Sequence, residues 1–67
     1  MYFGAMDGAQ IKRLRKRLEW AQHELATYLG VTQATVSRFE AGMQLPRGAT
    51  LKLLLMLRDE HRAKRAA

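Results

Sequence analysis

Gln33, Thr35, Ser37 and Arg38 stand within six positions of one another, in the stretch QATVSRFEAG. A carboxamide, two hydroxyls and a guanidinium are hydrogen-bonding groups, and nothing in the pattern pairs one of them with a base that would make it a nucleophile. At helical spacing Val36 and Phe39 take one side, and Gln33, Ala34, Ser37 and Arg38 take the other, with Thr35 at the border. The carboxamide sets a donor beside an acceptor, and the guanidinium presents a planar fork of donors. The chemistry such a face can do is recognition of planar polar edges, not bond making.

The rest of the composition supports that restriction. There is no cysteine, and His23 and His61 show no spacing with Asp or Glu that would hold zinc. No carboxylate pair lies in an apolar setting and no glycine loop is suited to a phosphate, so an enzyme is not expected, nor a cofactor or a metal. His23 and Glu24 read as solvent-facing. The chain has 67 residues, with 12 Lys and Arg against 6 Asp and Glu. Its pI of about 10.6 lies above the value of about 9 typical of nucleic-acid-binding domains. The longest apolar run, residues 53–57, is far too short to span a membrane, and the first residues lack the pattern of a secretion signal. Double-stranded DNA is the expected partner, in a cytoplasmic setting.

Four helices are needed to hold the polar face in place, and strand signals are almost absent. The first is expected over 7–18, capped by Asp7 with Gln10 completing a capping box, and with Ile11, Leu14 and Leu18 on one face. After a break at Glu19 and Trp20, the second runs to Leu29, with Leu25, Ala26 and Leu29 inward and Gly30 placed to end it. Thr32 caps the third, over 33–41. Leu45 is expected to be buried in the next loop, ahead of a fourth helix over about 49–57 that could extend to about 64. Trp20 and Phe39 are expected in the core, and Tyr28 partly exposed. One domain is expected over 7–58, after a disordered or cloning-derived segment at 1–6 and before a basic tail at 59–67.

Leu14-Arg15, Gln22-x-x-Leu25-Ala26, Leu29-Gly30-Val31-Thr32, Val36-Ser37-Arg38-Phe39-Glu40-x-Gly42 and Pro46 follow one another in a single register with the stripe at Leu51 and Leu54. Over about two thirds of the chain this order resembles the helix-turn-helix domains of the Cro and phage-repressor type, the XRE-like group. The resemblance implies an all-α, lambda-repressor-like bundle of four to five helices, with helix 33–41 entering the major groove as a transcriptional regulator, in most such cases a repressor. It implies base contacts from Gln33, Ala34, Thr35 and Arg38, with glutamine suited to adenine and arginine to guanine. Phosphate contacts are implied for Gln22, Thr32, Ser37, Gln44 and Arg47, with Arg13 added from the basic face of the first helix. Arg15 and Glu40 match a structural ion pair. Two departures stand out: Ala21 replaces the usual hydroxyl cap of the second helix, and the tail after Leu57 is too polar to bury a fifth.

Leu53, Leu55 and Met56 are in excess of what one inward stripe can take, which marks them as a dimer or partner interface. A homodimer would suit a two-fold operator. The alternative is an interaction module of antitoxin or coactivator type docking a protein such as a toxin through the same helix. The setting implied is bacterial or phage, beside the nucleoid.

Overall fold

The computed structural model describes residues 6–66. They form α1 (Gly8–Arg17), α2 (Gln22–Leu29), α3 (Gln33–Glu40) and α4 (Gly48–Ala66), with no strand among the described residues. The architecture is an all-α helix-turn-helix bundle of four helices, and no fifth is present among the described residues.

Local chemistry sets the helix starts. Asp7 Oδ1 accepts from the Gln10 N–H at 2.8 Å while Gln10 Oε1 accepts from the Asp7 N–H at 2.9 Å, the reciprocal box expected there. Thr32 caps α3, its Oγ1 accepting from the Thr35 N–H at 3.2 Å. Ala21 has no side-chain acceptor, yet its own N–H is not left unpaired: Glu24 reaches back to accept it at 2.6 Å. Glu24, read from sequence as a solvent-facing residue, thus supplies half of the missing cap.

The first three helices end alike. At each, one N–H bonds back three residues and the next bonds back five, onto Lys16 and Arg15, onto Thr27 and Ala26, and onto Phe39 and Arg38. The turning residue lies in the left-handed region, at Glu19 (φ 60°), Gly30 (φ 74°) and Gly42 (φ 78°). Only glycine adopts that region without steric cost, so Glu19 is held there against its preference.

Ile11, Leu14, Leu25, Ala26, Leu29, Val36, Phe39, Leu54 and Leu57 form the core. Trp20, Val31 and Leu51 pack on it from its edge. α3 packs on both α1 and α2, and α4 packs on α2. At α1 the approach is backbone to backbone: a Cβ on Gly8 would lie 2.5 Å from Phe39 O and 2.6 Å from Glu40 O.

Two expectations need correction and two need qualification. Met6, placed in the disordered or cloning-derived segment, is 2 % exposed and belongs to the core; residues 1–5 lie outside the described residues. It precedes the capping Asp7 while Ile11 follows four residues after it, the positions of a hydrophobic staple. Leu45 is 60 % exposed, because its neighbour Pro46 takes the buried place in the loop. Leu53 and Leu55 are half-buried and pack against the chain's own core, so that Met56, 54 % exposed, is the most exposed member of the expected interface. Finally, residues 59–66 are not a separate tail but the second half of α4, in line with its expected extension toward 64.

Candidate nucleic-acid interface

The site begins at Arg15 on α1. Its Nε donates to Glu40 Oε2 at 2.6 Å and its Nη2 to Glu40 Oε1 at 3.1 Å, a two-pronged pair. The third donor, Nη1, holds the carbonyl of Trp20 at 2.8 Å, so the same guanidinium fixes the break between α1 and α2. Both side chains are largely buried, 12 % and 5 % exposed. Burial alone would raise the Glu40 carboxyl, but hydrogen bonds from Arg15 and Gln22, with the charges of Arg15 and Lys12, outweigh it and hold Glu40 below the ordinary carboxylate range. The bond to Glu40 raises Arg15 in turn, against burial.

From Glu40 the network runs outward. Gln22, the first residue of α2, donates from Nε2 to Glu40 Oε1 at 3.2 Å. Its own Oε1 faces Nε2 of Gln33, the first residue of α3, at 3.5 Å. The two helix starts therefore lie side by side. The first N–H groups of a helix have no partner within it, and the dipole favours an anion there.

The outer face of α3 follows the expected division. Val36 and Phe39 are buried, Gln33, Ala34, Ser37 and Arg38 are exposed, and Thr35 is half-buried at the border. Arg38 does not wave freely. Its Nε donates to Gln44 Oε1 at 3.3 Å and its Nη2 to Thr35 Oγ1 at 3.4 Å, while Thr35 Oγ1 shares a 3.0 Å bond with Thr32 Oγ1. Arg47 is exposed in the loop before α4. The fold thus brings Gln22, Thr32, Gln33, Thr35, Arg38 and Gln44 into two linked sets at one end of α2 and along α3.

Arg13 does not join them. It stands two positions from Arg15, about 200° around α1, and lines a cleft shared with α4. Sequence reasoning also missed the tie between Gln44 and Arg38, and the one between Gln22 and Glu40. Both depend on a loop and on helix packing, and no spacing rule signals them. The arrangement as a whole can do one thing chemically: present amide, hydroxyl and guanidinium groups in fixed positions to a polar, electron-rich partner.

A family model described as helix-turn-helix matches residues 11–57. No curated relative matches the sequence. The matched span holds all of α2 and α3, the paired glutamines and both partners of the ion pair. It covers well over half of the chain, and the protein belongs to the helix-turn-helix family of the Cro and phage-repressor type, a group of DNA-binding regulatory domains.

Proposed function

We propose that this domain is a sequence-specific transcriptional regulator, a repressor working in the bacterial or phage cytoplasm, that lays α3 in the major groove. Gln33, Ala34, Thr35 and Arg38 read base edges; Gln22, Thr32, Ser37, Gln44 and Arg47 meet the phosphates on either side. The observation that carries this reading is the division of α3. Its inner side is anchored by Val36 and Phe39, and its outer side offers hydrogen-bonding groups held by their neighbours. Arg38 suits guanine O6 and N7, and Gln33 suits adenine N6 and N7. Arg13, on the far side of α1, is left out of the contact set. The domain acts as a homodimer on a two-fold site, with Met56 on α4 contributing to the contact.

The test is selection of bound sequences from a randomised duplex pool at two salt concentrations. A recovered two-fold motif with half-sites about one helical turn apart supports both base reading and the dimer. Binding without a motif, vanishing steeply with salt, overturns base reading. A strictly monomeric domain that ignores DNA would point instead to docking of a protein partner.

A further inference from the structure

The positive charge of this chain does not sit on the helices proposed to read DNA. Residues 20–47 carry Arg38 and Arg47 against Glu24 and Glu40 and are neutral, so the net +6 belongs to the segments on either side. The fold brings those two segments together. Arg13 and Arg17 on α1 face Arg58, His61 and Arg62 on α4 across a cleft of about 260 Å³. Met6 and Leu14, both core residues, give it an apolar floor.

Three features set this cleft apart from an ordinary solvated face. Arg13 and Arg17 stand four apart on α1 and repel, and no carboxylate among the described residues lines the cleft beside them. Asp59 pairs with Arg58 at 3.3 Å, but its side chain is 65 % exposed and outside the lining. Arg13, Arg17 and Arg62 make no ion pair with any described residue. Finally, His61 lines the same cleft and its Nε2 is buried without a hydrogen-bond partner among the described residues, an unsatisfied group of the kind that folded proteins rarely leave.

The geometry points to a binding site, in this cleft between α1 and the C-terminal half of α4, for a small polyanion bearing phosphate or carboxylate groups. Guanidinium forks match both groups in two-pronged fashion, and the apolar floor suits the carbon part of an organic anion. The volume lies just below the range of drug-sized ligand sites, which suits a small anion. Because Arg15 turns the other way, onto Glu40, the site is separate from α3 and stands whether or not α3 reads bases.

The test is a titration of the full chain with pyrophosphate, followed by amide and imidazole resonances at constant ionic strength. Saturable shifts at Gln10, Arg13, Leu14, His61 and Arg62 are expected, with affinity falling about tenfold or more in an Arg17→Gln/Arg62→Gln double variant. Both arginines are exposed, so the variant keeps its fold; a single Arg62→Gln variant gives the same reading in graded form. A parallel titration with citrate separates the sources: tighter citrate marks a carboxylate ligand, tighter pyrophosphate a phosphate one. Shifts that never saturate, that potassium chloride reproduces, or that centre on α3 would overturn the site. So would the same residues responding to a short DNA duplex, since the cleft would then be a backbone contact.

Discussion

Glu40 keeps only 5 % of its side chain exposed, a position that ordinarily drives a carboxyl toward its neutral form. It stays below the ordinary range because Arg15 and Gln22 both donate to it. The linkage sign follows: a carboxyl lowered by folding adds stability above its unfolded value of about 4.3, and that stability drains away as pH falls toward the folded value. Stability should therefore decline on acidification below about pH 5, and Glu40→Gln should remove most of that decline. The same substitution leaves the largely buried Arg15 without its charge partner, at a cost of about 3 kcal/mol in urea unfolding. Unchanged stability would mean the pair is idle. On the outer face, Gln33→Ala or Arg38→Ala should weaken a selected site by about 1–3 kcal/mol and leave random duplex binding untouched. Equal loss on every sequence would remove those residues from base reading.

At the scale of the elements, two backbone positions give predictions of opposite sign for the smallest side chains. Glu19 ends α1 in the left-handed region that glycine fills at the ends of α2 and α3. Glu19→Gly should raise stability by about 0.5–1 kcal/mol, seen as a higher melting temperature. Gly8 is the reverse. It opens α1, where a methyl group would ordinarily be tolerated, but here the added Cβ would press on two carbonyl oxygens of α3 that cannot swing aside. Gly8→Ala should cost about 1–3 kcal/mol by overpacking, and a stabilised variant would show that α1 and α3 are less closely set. The contrast explains what was legible in the sequence. The Asp7 box, the Thr32 cap, Gly30 and the division of α3 around Val36 and Phe39 are decided within one turn of chain, and each was readable. Gly8, Pro46 displacing Leu45, and Leu53 and Leu55 folding onto their own core are decided by which element comes alongside. So were the tie from Gln22 to Glu40 and that from Arg38 to Gln44: the family resemblance named the residues but not these partners.

For the whole molecule, the distribution of charge matters more than its sum. A pI of about 10.6 invites the view that DNA is drawn by charge, yet the segment from Trp20 to Arg47, which holds the proposed reading face, is neutral. Each cation set against a phosphate releases counterions and contributes about 0.9 to the slope of log affinity against log salt. Arg38 and Arg47 are the only cations on that segment. With Arg47 alone on a phosphate the slope is about −1 per protomer, rising to about −2 where Arg38 meets one as well. If the domain bound through its full surplus of positive charge, the slope would steepen toward about −5. Measuring the affinity for a selected duplex across a range of potassium chloride therefore separates two ways of using the same composition. The shallow slope would leave the arginines of α1 and α4 available for another anion. The steep slope would place those helices on the DNA backbone and reassign their cleft to it.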